Sequence, residues 1–185
     1  MEVQTNQKEE NKQRHGRGGG RKDRGGRRSD EPREFDQKIL ELSRVTRVTA
    51  GGKRMRFRVC LVIGDRKGRV GFGVTKGADV QISVEKSLRQ AKKKLIQVPL
   101  VNETFPFPVT AKFSASTVIL MPAPKGTGLK CGGAVRTVLE LAGVQNAVSK
   151  IMGSSNKINT VKATFLAIER MNESTSTLKR KKKIT

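Results

Sequence analysis

The sequence predicts an α+β protein built of two small units, and three observations carry that prediction. Short apolar, β-branched runs separated by glycine turns recur between residues 40 and 75. A segment with helical spacing of apolar residues follows, over residues 79–96. Pro99, Pro106 and Pro108 then punctuate the chain before a second series of strand-like and helix-like segments. With 185 residues, the chain has room for one ordinary domain or two small ones.

Residues 1–33 come first and are poor in apolar side chains; Asn11–Arg28 holds eight basic residues, six glycines and one acid, Asp23. Such a segment buries too little apolar surface to offset its chain entropy, so it is expected to be a disordered Gly/Arg-rich basic arm. Order is expected from about Phe35, and the first unit spans residues 34–98. Leu40–Val48 is its first strand, Ala50–Lys53 a turn, Phe57–Ile63 a central strand, and Asp65–Gly68 a second tight turn before the strand Val70–Thr75. The helix over Asp79–Ile96 lines one face with Val84, Leu88, Ala91 and Leu95. Three antiparallel strands plus one helix complete the unit.

The second unit spans residues 107–172. Val109–Phe113 and Thr117–Met121 are short strands, and Pro122–Gly128 is a loop. A helix over Ala134–Ala142 ends at the capping Gly143, and Val144–Ile151 is a further strand. Gly153–Asn156 offers capping side chains to a last helix over Ile158–Met171, striped by Ile158, Val161, Phe165 and Ile168. Residues 173–185, with the run Lys179–Lys183, are expected to be a mobile basic tail. No internal repeat is visible.

Composition points to the partner. Thirty-nine lysines and arginines against 16 acids give a formal charge of +23 and a pI near 10.9. A compact chain so charged repels itself, and a polyanion is the natural counterpart. A membrane is disfavoured, because no apolar run approaches the roughly 18–20 residues that span a bilayer. Met1–Glu10 is polar and is not expected to be a secretory signal. Asn102-Glu103-Thr104 and Asn172-Glu173-Ser174 match the glycosylation pattern, which has no consequence without secretion. Cys60 and Cys131 lie far apart and are expected to be small buried thiols in a reducing cytosol.

Catalytic chemistry finds no foothold. The one histidine, His15, sits in the glycine-rich arm, so no ordered base serves a Ser-His-Asp or Cys-His arrangement. Neither cysteine has a neighbour at zinc spacing. Pro124–Gly128 lacks the Gly-x-x-x-x-Gly-Lys-Ser/Thr spacing of a phosphate loop, and Gly71-Phe72-Gly73 lacks the third glycine of a dinucleotide loop. No catalytic residue, metal, cofactor or small-molecule substrate is expected. The rival reading is an RNA-processing or maturation enzyme, which needs acids near the glycine loops. The nearest, Glu140 and Glu169, are ordinary helix-surface residues.

Three clusters form the expected RNA-binding surface. Arg44, Arg47, Thr49, Gly51, Gly52, Lys53, Arg54 and Arg56 crowd the first hairpin, with Arg58 beside them. Arg54, Arg56 and Arg58 share a strand face by the two-residue period, while Phe57 points away and Cys60 and Val62 are expected to break that parity. Gly51 and Gly52 admit close approach to a phosphate. Lys125, Gly126, Thr127, Gly128, Lys130 and Arg136 form the second cluster, where loop amides and a helix start favour phosphate. Ser154, Ser155, Asn156, Lys157, Asn159 and Lys162 gather at the start of the last helix. There are seven Phe and no Tyr or Trp, which favours reading of RNA shape and backbone over base stacking.

These motifs resemble a known family. Val45–Phe57 (VTRVTAGGKRMRF) and Val62–Gly73 (VIGDRKGRVGFG) are similar to the ribosomal protein S five family of the bacterial small subunit, as are Lys125–Arg136, Val138–Gly143 and Gly153–Thr164. The match runs over about residues 35–172, with the motifs in the same order. The resemblance implies a first domain like a double-stranded-RNA-binding domain and a second β-α-β-α domain with a left-handed crossover, where the general rule favours the right hand. It implies contact with small-subunit rRNA, packing against proteins S four and S eight, and a position where mRNA enters. It places the tip Thr49–Lys53 near the spectinomycin site, and Ser114, Ala115, Ser116 and Thr117 toward protein S four. Many relatives carry a basic residue where Thr117 stands, so the specific contact it implies at the interface with protein S four is not expected here; they carry a proline at Lys157 and an arginine at Lys162, so bidentate phosphate binding is expected to be lost there. A cytoplasmic location, in the ribosome, follows from the same resemblance.

Overall fold

The computed structural model describes residues 34–184, with side chains as far as Ser176; the expected arm and His15 lie outside the described residues. β1 (Asp36–Thr49) and β2 (Gly52–Gly64) form a long hairpin, β3 (Arg69–Gly77) follows, α1 (Val80–Lys93) crosses one face, and β4 (Leu95–Gln97) returns to the sheet. The order is β1-β2-β3-β4, antiparallel throughout. β5 (Val109–Phe113), β6 (Ser116–Pro122), β7 (Leu129–Lys130) and β8 (Ala147–Gly153) make a second sheet in the order β5-β6-β8-β7. β7 runs parallel to β8, and α2 (Gly133–Ala142) joins them; α3 (Lys157–Ile184) closes the chain.

The first sheet therefore has four strands rather than the three expected, and the first helix is shorter. Lys94 leaves helical backbone at φ −119° and ψ 42°, and Leu95 and Ile96 pair with Gly71 and Val70. Leu95 packs against the cluster of Phe35, Val59, Leu61, Ile63 and Ala91. An apolar stripe that ends in the core serves a helix or an extended strand equally well, so spacing alone did not separate them. The two-residue β7 was too short to carry a period. β8 starts at Ala147 rather than Val144, because Gln145 and Asn146 both turn their amides to the Glu103 carbonyl.

α3 extends past the last helix that the apolar spacing marks out. Residues 173–184 continue α3, whose stretch from Asn172 onward contains neither glycine nor proline. Asn172 Nδ2 donates to the Gln97 carbonyl at 2.7 Å, and Thr175 Oγ1 to Met171 at 2.8 Å, so the helix runs past its last core residue, Met171.

Packing of α1 rests on small residues. Ser83, Ser87 and Ala91 are its buried positions, one turn apart, and they face Gly77, Gly73 and Gly71 of β3. A Cβ on Gly73 would fall on the Ser87 carbonyl oxygen, and one on Gly71 would lie 2.5 Å from that of Ala91. The two serine hydroxyls donate to the Phe57 and Val59 carbonyls at 3.2 and 3.3 Å, which removes the cost of burying them.

The two sheets are joined through main chain. The turn between β2 and β3 lies on the C-terminal end of α2, where the Arg66 and Gly68 amides donate to the carbonyls of Leu141 and Ala142, both at 2.9 Å. These are among the acceptors a helix end leaves without internal partners. The Gly68 carbonyl in turn accepts from Val98 at 2.8 Å. Close approach needs glycine on both sides: a Cβ on Gly64 would fall on the Leu141 carbonyl, and one on Gly143 (φ +82°) on that of Arg66. Asp65 shapes the turn by accepting from the Lys67 and Arg69 amides at 2.8 and 3.0 Å and from Arg69 Nε at 2.6 Å. Burial pushes its carboxyl up, but the Arg69 guanidinium and the two amides outweigh that and hold it below the usual carboxylate range. Val62, Val70 and Val98 accordingly share one core with Phe105, Leu120, Leu139 and Ile168.

Two outcomes follow. Gly143→Ala places a side chain at positive φ against the Arg66 carbonyl and should cost more than about 1 kcal/mol, lowering the melting temperature by at least roughly 2–4 °C. Gly51→Ala, with nothing within 4 Å and no positive φ, should leave the melt unchanged. The lowered Asp65 carboxyl stabilises the fold above its unfolded value near ~4, and that contribution is lost as pH falls through the folded value. Thermal melts of wild type and Asp65→Asn should differ most near neutral pH and converge in acid.

Candidate nucleic-acid interface

β1 and β2 outrun the rest of their sheet. β3 ends opposite Phe57, at Gly77, so the pairs from Val45/Arg56 to Thr49/Gly52 form a bare two-stranded ribbon, roughly 15–20 Å long. Thr49 Oγ1 donates to the Gly52 carbonyl at 3.0 Å and closes its tip. Gly51 is demanded neither by its φ nor by any neighbour within 4 Å.

Register sorts the ribbon's cations. Arg47 stands opposite Arg54, Val45 opposite Arg56, and Ser43 opposite Arg58, all on one face. Arg44 and Lys53 lie on the other, opposite Phe57 and Val48. Cys60 and Val62 continue the arginine parity rather than breaking it, so the face that is basic at the tip becomes the apolar seam at the base. Arg58 is withdrawn from the surface set: its Nη2 meets Glu41 Oε1 at 3.0 Å, and both side chains are about two-thirds buried or more. Lys76 is the residue that sequence reading missed. It pairs with Arg58 in register and joins Arg47, Arg54 and Arg56 around a cleft of about 270 Å³. The parity of β3, with Phe72 and Val74 on the same side, is the signal that would have placed it.

The third cluster adjoins this face. Lys157 Nζ reaches the Leu40 carbonyl at 3.4 Å, beside the register shift in β1. Lys162 Nζ lies 4.8 Å from the centre of the Phe113 ring. Burial and the Glu41 carboxylate raise the Cys60 thiol to about 11, against the opposing pull of Arg58 and Lys162, so α3 brings its lysine within electrostatic reach of the first sheet. Asn156 caps α3, accepting from the Ile158 amide at 3.0 Å, and Ser154 Oγ accepts from the Asn156 amide at 3.3 Å. Ser155 and Lys157 stay exposed, and Asn159 is half-buried. Ser114 and Ala115 form the β5–β6 turn, with Ser114 at φ +54°, and Ser116 and Thr117 open β6 opposite Phe113 and Lys112. Ser116 Oγ donates to the Ser154 carbonyl at 2.8 Å and the Ala115 carbonyl accepts from the Ser154 amide at 2.9 Å, so this turn is locked to the start of α3.

The second cluster differs from expectation. The amides of Gly126 and Gly128 donate to Oδ1 of buried Asn146 at 3.1 and 3.0 Å, and that of Thr127 to the Pro124 carbonyl at 3.2 Å. These three N–H groups of the loop are used inside the protein; the side chains of Lys125, Lys130 and Arg136 are exposed, and α2 starts from its N-cap Gly132 without a side-chain cap. Arg136 Nη2 donates to the Leu129 carbonyl at 3.3 Å. Among the described residues no three His, Cys, Asp or Glu side chains are placed to share a metal ion, and no helix is long and apolar enough to cross a membrane.

Comparison with known proteins decides the family. "Ribosomal protein S5, N-terminal domain" matches residues 35–99, and "Ribosomal protein S5, C-terminal domain" matches residues 111–181. The chain belongs to the ribosomal protein S5 family. It is similar to the small ribosomal subunit protein uS5 of Hydrogenobaculum sp., 44% identical over 76% of this chain and 74% of that protein. It is likewise similar to the uS5 proteins of Thermotoga neapolitana, 43% identical over 75% of this chain and 78% of that one, and Treponema pallidum, 44% identical over 75% and 81%. A member of the ribosomal protein S5 family is a ribosomal protein of the small subunit and not an enzyme.

Asn146→Ala strands two loop amides in the protein. Chemical denaturation should show a loss of roughly 1–3 kcal/mol, whereas Lys125→Ala should change stability by less than about 0.5 kcal/mol.

Proposed function

We propose that the chain clamps small-subunit rRNA, gripping phosphate with the Arg47, Arg54, Arg56 and Lys76 face and with Ser155, Lys157, Asn159 and Lys162 at the start of α3. The cross-strand pair Arg47 and Arg54 carries the reading. Like charges directly opposite on an antiparallel ribbon repel, and residues 43–58 contain no acid to relieve them. A phosphate between the two guanidiniums turns that repulsion into charge-assisted hydrogen bonds. Phe57 lies on the opposite face, so contact is with backbone and shape rather than stacked bases. Lys125, Lys130 and Arg136 add a separate anchor, made by side chains.

Following the family resemblance, we assign the clamp to the junction of the subunit's body and head, with support for translational accuracy and for mRNA where it enters. The segment Ser114–Thr117, the β5–β6 turn with the first residues of β6, is the surface assigned to protein S four, with protein S eight as a second neighbour. The lock between this turn and the start of α3 supports a linked role, since a neighbour bearing on one bears on the phosphate grip of the other.

The test is a titration of the chain with small-subunit rRNA across salt. Displacing counterions from about eight duplex phosphates gives a log–log slope near −7. Arg54→Ala with Arg56→Ala should reduce its magnitude by about 2. An unchanged slope would remove the ribbon from the interface.

A further inference from the structure

An open apolar groove lies where the first sheet meets α3. Phe72 of β3, Leu95 and Ile96 of β4, Phe113 of β5, and Phe165 and Leu166 of α3 wall a space of about 440 Å³. Phe165 is buried and forms the floor, with the Phe72 ring tilted against it at 4.5 Å between centres. The others are only half-buried, although each packs on the core. The groove is therefore preformed by packing that serves the fold, and its volume is that of a small-molecule site.

The polar groups at the rim select the ligand. Lys94, Lys162 and Glu169 border the groove, and none of them is ion-paired with another described residue. Lys162 and Glu169 stand two turns apart on α3, roughly 10 Å along its axis, too far to neutralise each other. Lys162 Nζ is held 4.8 Å from the centre of the Phe113 ring, at the groove's wall. Two cations against one acid leave the rim net positive, so the groove favours a single negative charge on an apolar body. Its aromatic walls favour a flat ring, which meets Phe72 and Phe113 in offset or edge-on contact. An inorganic anion alone would leave those walls in water, and a neutral hydrocarbon would leave both lysines without a partner.

We propose that the groove binds a small aromatic carboxylate, with its ring against Phe72, Ile96, Phe113 and Leu166 and its carboxylate on Lys94 and Lys162. Of these residues only Lys162 belongs to the rRNA clamp, so the site is independent of that reading and should stay open in the assembled subunit.

The test titrates the full chain with 2-naphthoate and follows side-chain methyl resonances. Those of Leu95, Ile96 and Leu166 should shift together and saturate, while those of Ile39, Leu42 and Ile82, exposed elsewhere, stay in place. Neutral 2-naphthamide and acetate, each lacking half of the match, should bind at least roughly tenfold more weakly. Lys94→Ala should weaken naphthoate binding by a similar factor; Lys94 is exposed, so the variant's melt should match wild type. Glu169→Gln should not weaken it. Shifts spread over the exposed residues, equal binding of the amide, or indifference to Lys94→Ala would overturn the site. A naphthoate bearing a diazirine gives the second readout. It should label residues 94–97 or 162–169 in the free chain and in small subunits alike. Labelling lost on assembly, or transferred to rRNA or a neighbouring protein, would give the groove to that neighbour and overturn the proposal.

Discussion

The main-chain contact between the β2–β3 turn and the end of α2 is the constraint on which the rest of the molecule depends. Two amides of one sheet's turn satisfy two terminal carbonyls of a helix that packs on the other sheet. Backbone bonds of this kind have little freedom to slide, and glycine on both sides brings the chains too close for side chains to intervene. Asp65 holds the turn in the shape that presents those amides. Neither half can tilt without breaking its partner's cap.

From that seam the basic surfaces acquire fixed places. β2 is anchored at Gly64 and runs unbroken to its tip, so its alternation of faces is set at the base. Val62 and Cys60 point into the seam, Arg58 is neutralised by Glu41 on the way out, and Arg56 and Arg54 emerge with no acidic partner among the described residues. α3 enters on the same side, with Phe165 against Phe72 at 4.5 Å between ring centres, and carries Lys157 and Lys162 to the foot of the ribbon. A basic ribbon on a flexible stalk would lose much of its binding energy to ordering; on a rigid base it presents its charges preassembled.

Much of this was legible in the residues. The hairpin, β3, α2 with its Gly143 cap and the start of α3 follow from alternation, turn glycines and capping side chains, which are local signals. The fourth strand was hidden because Leu95 joins the same core whether helical or extended. The extension of α3 past Met171 left no periodic signal, because lysine-rich sequence lacks an apolar stripe, although nothing in it breaks a helix. At the site, the basic ribbon was visible as composition, but its division into faces needed register. Arg58 looked like Arg54 and Arg56 until Glu41, 17 positions earlier, was seen beside it. The glycine loop looked open until Asn146 was found beneath it, because a buried acceptor 18–20 positions away leaves no local trace.

Amide hydrogen exchange at Arg66 and Gly68 measures the seam most directly. If the turn and α2 form one cooperative unit, both amides should exchange only as slowly as the core amides of Val62 and Leu139, through global unfolding. Rapid exchange at these two positions, with both sheets still protected, would contradict the account: the halves would then move independently and the basic surfaces would have no fixed relation.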